Sequence, residues 1–159
     1  MKEITGGVCA ATGFTASGLR CGVKANARPD RKDLALIYSE KPCSAAGMFT
    51  TNQVKASCVQ LSMRHVENGR AQAVVANSCN ANACAPQGME NAMRMCQAAA
   101  KLLKVDPADM IVASTGVIGQ RLNIEAIEAG LPEAYSQLRR DGSDDAAHAI
   151  MTTDTVKKE

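Results

Sequence analysis

Ser114, Thr115 and Gly116 end an apolar run abruptly, in a stretch (111–119) that reads Ile-Val-Ala-Ser-Thr-Gly-Val-Ile-Gly. Glycine lets the backbone turn and come close to a ligand, while the hydroxyls and amide hydrogens beside it can donate to an oxygen that carries negative charge. Two more polar clusters stand at the ends of apolar segments: Asn77-Ser78-Cys79-Asn80-Ala81-Asn82 and Thr152-Thr153-Asp154-Thr155. Each has a plainer reading as well. The first is also a strand with its turn, the second an asparagine turn bonded to itself, the third a helix end running into an edge strand. Asn77, Asn80, Asn82 and Asp154 are the weaker site candidates.

Cysteine chemistry has less support. The seven cysteines (Cys9, Cys21, Cys43, Cys58, Cys79, Cys84 and Cys96) are odd in number and contain no Cys-x-x-Cys pair, and His65 and His148 lie far apart in sequence. Reduced thiols buried as small hydrophobes are expected, with no metal site. A thiol enzyme built on Cys79 or Cys84 would need a base that the sequence does not place nearby.

The polar clusters need strands and helices to hold them. Residues 6–24 read as short strands joined by turns, 28–33 as a polar connector, and 34–39 as a buried strand stopped by Glu40, Lys41 and Pro42. Segments 47–51 and 56–61 read as two more short strands, and 71–76 as another that leads into the asparagines. Met89, Ala92, Met93, Cys96, Ala99, Ala100 and Leu103 recur at helical spacing from Gly88 onward, which makes the methionines core filler. A strand over 110–113 follows Asp106-Pro107. A short helix over 124–129 ends at Gly130-Leu131-Pro132, and Gly142-Ser143-Asp144-Asp145 offers an N-cap to a last helix through Ile150, with His148 on its solvated side. Strands first, then strands alternating with helices, indicate an α/β layered domain.

At 159 residues the chain is long enough for one sizeable core and is read as a single domain, 1–159. A net charge of +2 gives no electrostatic case for nucleic acid, and 3% aromatic residues with no tryptophan remove stacking platforms for bases. A small ligand fits better. No run approaches the roughly 20 apolar residues of a membrane helix, and the start, Met1-Lys2-Glu3-Ile4-Thr5-Gly6-Gly7, lacks the apolar segment of a signal peptide, so a cytosolic protein without a membrane partner is expected.

Taken together, the runs Asn77-Ser78-Cys79-Asn80-Ala81-Asn82-Ala83, Ala113-Ser114-Thr115-Gly116-Val117-Ile118-Gly119 and Ala149-Ile150-Met151-Thr152-Thr153-Asp154-Thr155 resemble the ornithine acetyltransferases of arginine biosynthesis, also called glutamate N-acetyltransferases. Upstream, Gly13-Phe14, Gly18, Asp33-Leu34-Ala35-Leu36-Ile37, Ala45-Ala46-Gly47-Met48-Phe49-Thr50-Thr51-Asn52 and Val54-Lys55-Ala56 agree in order and approximate spacing. The resemblance covers essentially the whole chain.

That resemblance implies a layered sandwich of sheets flanked by helices, a self-processing amidohydrolase-like architecture. It also implies a precursor that cleaves itself before a threonine, which becomes the amino-terminal nucleophile of a second, β chain with its own α-amino group as base. The acetyl group of N2-acetylornithine would pass to that threonine as an ester and then to glutamate, and some members also take acetyl-coenzyme A. No cofactor is implied. Thr115 through its hydroxyl and Gly116 through its N–H match the oxyanion hole, and Thr152 or Thr153 matches a substrate-binding position. Cys79 departs from the glycine of many relatives, and Ala85-Pro86 from their Thr-Gly. The segment with the cleavage site lies beyond the point matching Glu159. The expectation is therefore an α-chain portion, inactive alone, that joins β chains in a heterotetramer of two α and two β chains. The alternative is a diverged fragment acting as a non-enzymatic binding or structural module.

Overall fold

Leu34, Leu36, Val75, Met110 and Val112 are each at most 3% exposed, and the two-residue period of extended chain sends them out from one face of a sheet. The computed structural model describes residues 4–26 and 28–157, so Met1, Lys2 and Glu3 of the expected leaderless start fall outside the described residues. It forms β1 (Phe14–Leu19), β2 (Leu34–Ser44), β3 (Arg70–Asn77) and β4 (Met110–Ser114) into one sheet in the order β1-β2-β3-β4. The first three strands pair antiparallel, with Ala16 opposite Ile37 and Leu36 opposite Val75. β4 joins β3 in parallel, with Val75 opposite Val112. A parallel neighbour demands a crossover, and α2 (Gly88–Leu103) provides it.

The apolar face packs against α1 (Ser57–His65), α2 and α3 (Ile124–Ser136), through Leu61, Met95, Ala99, Ile127 and Leu131 among others. The opposite face is built of small residues, Ala16, Ala35 and Ala76, and is covered only in part, by Ala146 and Ala149 of α4 (Ser143–Ala149). Close packing there depends on Gly18, where a β-carbon would stand 2.0 Å from the Asp145 carbonyl oxygen. The expected α/β layering is what the structure shows, with helices on both faces.

Both sheet edges are closed at their centres. On β1, Ala16 exchanges two backbone hydrogen bonds with Arg139 (3.0 and 3.1 Å). On β4 the cover comes from side chains of α1. Ser62 Oγ accepts the Val112 N–H at 3.0 Å and donates to the Val112 carbonyl at 2.7 Å, while His65 Nδ1 lies 2.6 Å from the Met110 carbonyl.

Several expected elements differ. Residues 47–51 form no strand, and 57–61 belong to α1 with Ala56 as its N-cap, Cys58, Leu61 and Ser62 being buried at helical spacing. A six-residue apolar run does not distinguish the two periods. β2 continues through Glu40, Lys41 and Pro42 to Ser44, because a register shift between Tyr38 and Cys43 leaves Pro42 outside the ladder where its missing N–H is not needed. α3 runs through Gly130 and Pro132 to Ser136. There Gly130 packs against Cys21, whose β-carbon would lie 2.4 Å from an added one, and the full burial of Leu131 and Ala134 offsets the backbone bond that Pro132 removes. Ser143 does not cap α4 but is its first residue, with its hydroxyl accepting the Val8 N–H at 3.1 Å.

Candidate active site

β4 ends at Ser114, and the chain after it is gripped by the loop that follows β3. The Thr115 N–H donates to the Asn77 carbonyl (3.0 Å), Val117 N–H to the Cys79 carbonyl (3.2 Å) and Gly119 N–H to the Ala83 carbonyl (2.8 Å), while the Val117 carbonyl accepts from Ala81 N–H (2.9 Å). Gly116 sits at φ +133 against the Cys79–Asn80 peptide, where a β-carbon would lie 2.4 Å from the Cys79 carbonyl carbon and 2.7 Å from the Asn80 nitrogen. Only glycine fits there.

The three candidate asparagines hold this arrangement together. Asn77 is fully buried: its Oδ1 accepts the Ser114 hydroxyl at 2.7 Å, and its Nδ2 donates to the carbonyls of Ser78 (3.0 Å) and Asn80 (2.9 Å). Asn80 donates to the Gln120 and Arg121 carbonyls and accepts the Asn82 N–H at 2.8 Å. Asn82 donates to the Gly88 carbonyl at 2.8 Å, which joins the loop to the start of α2. The loop is strained, with Cys79, Asn82, Cys84 and Gln87 all at φ between +48 and +74. Each such residue costs of order 1 kcal/mol, which glycine avoids, and Cys79 at +74 is the position where the resemblance places one.

What remains free is informative. Neither the Thr115 hydroxyl nor the Gly116 N–H makes a hydrogen bond among the described residues, whereas the Ser114 hydroxyl is taken by Asn77. Thr115 and Ser114 stand at one end of a groove of about 950 Å³ on the small-residue face of the sheet. Ala35, Val74, Ala76 and Ala113 form its floor, with Val8 and Ile150 on its sides. An unspent hydroxyl at the end of an apolar trough, with an unspent N–H on the next residue, is an arrangement suited to a developing oxyanion.

Thr152 and Asp154 are not brought to that groove. They line a separate, polar hollow of about 430 Å³ with Arg31, Asp144, Asp145 and His148, while Ala146 and Ala147 of the same helix face the groove. Arg31 fixes the chain leaving α4 by donating to the Met151 (3.0 Å) and Thr152 (3.2 Å) carbonyls. Thr153 follows and is exposed. Asp145 bridges Lys32 and Arg139, and chiefly the Lys32 ammonium holds its carboxyl below the usual carboxylate range.

Asp33, the end of the polar connector and the first residue of a run that carries the family resemblance, has a structural role that neither reading assigns. It is fully buried, its carboxylate accepts the amides of Cys21 (2.6 Å), Gly22 (3.1 Å) and Val23 (2.9 Å), and its carbonyl accepts Ser78 N–H (3.0 Å). It thus anchors the loop that grips Thr115. An acidic residue directly before a wholly apolar strand was the available signal. Burial, aided by the Asp33 carboxylate, pushes the Cys21 thiol far up, and burial alone takes Cys96 to about 12, so both stay protonated. The histidines bond elsewhere, His65 to Met110 and His148 to Asp144.

A family model described as the ArgJ family matches residues 15–159. Among curated proteins, the chain is 49% identical over 146 residues to "Arginine biosynthesis bifunctional protein ArgJ 1" of Clostridium acetobutylicum, covering 91% of this chain and 35% of that protein. It is 49% identical over 160 residues to the protein of the same description, ArgJ, from Symbiobacterium thermophilum, covering 100% of this chain and 40% of that one. The chain thus spans well under half the length of these relatives. Among solved structures, ornithine acetyltransferase complexed with ornithine from Mycobacterium tuberculosis superposes with a TM-score of 0.88 at 40% identity, over 94% of this chain and 81% of that one. The arginine biosynthesis bifunctional protein ArgJ of Bacillus halodurans gives 0.85 at 34% identity, over 95% and 78%.

Proposed function

This chain belongs to the ArgJ family, and from that premise we propose that it supplies the oxyanion hole of an N-acetyltransferase that moves acetyl from N2-acetylornithine to glutamate. The observation that carries the reading is Thr115 at the end of the groove, its hydroxyl unspent among the described residues, followed in the chain by the equally unspent Gly116 N–H.

In this reading a threonine from a segment outside these 159 residues attacks the acetyl carbonyl. The carbonyl π pair moves onto oxygen, where Thr115 and Gly116 donate to it. The hydroxyl proton passes to the nucleophile's own amino group and on to the departing nitrogen of ornithine, leaving an acyl-threonine ester that the glutamate amine then attacks. One fixed donor contributes roughly 3 to 4 kcal/mol of transition-state stabilisation. Asn77, Asn80 and Asn82 act as positioning residues, since their side chains tie the loop to Ser114, to the Gln120 and Arg121 carbonyls and to the start of α2. A substrate-binding role for Thr152 or Thr153 rests on the resemblance alone, and Asp154 remains a candidate only through its place beside them.

The apolar trough is, in the same reading, the seat of the β chain released by self-cleavage, within an assembly of two α and two β chains. These 159 residues alone are then inactive. Assay of the full-length protein carrying this chain should show ornithine and N-acetylglutamate formed from N2-acetylornithine and glutamate, with acetyl-coenzyme A tried separately as donor. A folded full-length protein that turns over neither donor would leave the non-enzymatic binding module as the better account.

A further inference from the structure

Two buried polar atoms have no partner among the described residues: Asn82 Oδ1, an acceptor, and Asn91 Nδ2, a donor. Both residues are at least 98% buried. The orientation of Asn82 is fixed, because its Nδ2 is engaged by the Gly88 carbonyl at 2.8 Å and a flipped amide would lose that bond. The unpaired atom is therefore an oxygen.

Both residues meet the first turn of α2, Asn82 through its bond to the Gly88 carbonyl and Asn91 as a member of that turn. A β-carbon on Gly88 would stand 3.2 Å from Asn82 Oδ1 and 2.4 Å from Ser57 Oγ, so these two oxygens face the helix at that position. Asn91 follows three residues later on the same buried helix face, and helical side chains lean back toward the N-terminus, which is the direction of Gly88. That end of α2 has no side-chain cap.

We propose that one buried water molecule binds between Asn82 Oδ1 and Asn91 Nδ2, with Ser57 Oγ as its third neighbour. The chemistry selects the ligand. An anion would be repelled by the Asn82 oxygen and a cation by the Asn91 N–H groups, while water accepts from one and donates to the other. Buried waters characteristically make about three such bonds. The water joins the asparagine loop to α2 and α1 at once, and the Asn82–Gly88 bond sets it in place.

The test is a crystal structure of the protein at a resolution that orders solvent, together with oxygen-17 relaxation of the protein in solution. Density for one water within about 2.7–3.2 Å of both amides is expected, and one long-lived water should be lost in Asn91→Leu. Direct contact between the two amides, empty density, or an unchanged count of long-lived waters in a folded Asn91→Leu protein would each overturn it. None of these outcomes bears on acyl transfer, which rests on Thr115 and Gly116.

Discussion

Gly116 lies against the Cys79 carbonyl so closely that a β-carbon at 116 would stand 2.4 Å from the carbonyl carbon and 2.6 Å from its oxygen. Two loops that follow adjacent parallel strands are locked at this point, and the lock presents the unspent Gly116 N–H.

Gly116→Ala should therefore destabilise the protein by roughly 2 to 3 kcal/mol, since the new methyl meets backbone and φ +133 is foreign to alanine. Urea unfolding monitored by circular dichroism measures it. An unchanged midpoint would mean that the 77–83 loop is free to move away.

Thr115→Ala should leave the stability within about 0.5 kcal/mol of wild type, because the hydroxyl has no partner among the described residues. In the acyl transfer proposed for the full-length protein, kcat should drop about 10²- to 10³-fold with KM little changed, and Thr115→Ser should recover most of it. A loss seen mainly in KM would assign Thr115 to ground-state binding.

Asp145 provides a pH signature. Lys32 and Arg139 depress its carboxyl from the ordinary value of 3.8, so the folded protein holds that proton less tightly than the unfolded chain. The stabilisation is fully present above about pH 4 to 5 and is lost as pH falls through the depressed value. The stability difference between wild type and Asp145→Asn should be constant near neutrality and shrink below about pH 4. Urea midpoints across the acid range would show it, and a difference independent of pH would count against the bridge.

Lys104 ends α2 at φ +58 with its N–H on the Ala100 carbonyl, the left-handed C-terminal position that glycine occupies at no steric cost. Lys104→Gly should raise stability by roughly 0.5 to 1 kcal/mol. A lower melting temperature would show that the lysine side chain contributes more than its backbone costs.

The sequence made some of this legible and hid the rest for definite reasons. β3, β4 and α2 lie where the apolar pattern expected them, because Val75 and Val112 keep the two-residue period of a strand and Ala92, Cys96, Ala99 and Leu103 the helical one, although Met93, expected in the core, is exposed and Met95 is buried instead. α1 was hidden because its buried stripe is short and includes Ser62, a polar residue whose burial makes sense only beside the β4 edge. Gly130 and Pro132 read as a helix stop, but their local preference is overridden by packing of Gly130 against Cys21 and Leu34 and by burial of Leu131 and Ala134 on either side of the exposed Pro132. At the site, Thr115 and Gly116 stood out through the break in an apolar run. The dependence of their placement on Asp33 is a contact between distant segments, which no local pattern announces.

One serine decides how this sheet can grow. With Val112 satisfied in both directions by the Ser62 hydroxyl and Ala16 engaged by Arg139, a new strand finds no vacant place in mid-edge on either side. Lateral extension, the route to fibres, is blocked at the centre of the strands, while the small-residue face stays open. Any sheet that adds to this one must be stacked upon it, so a hydroxyl on a helix fixes the direction of assembly at right angles to the hydrogen bonds.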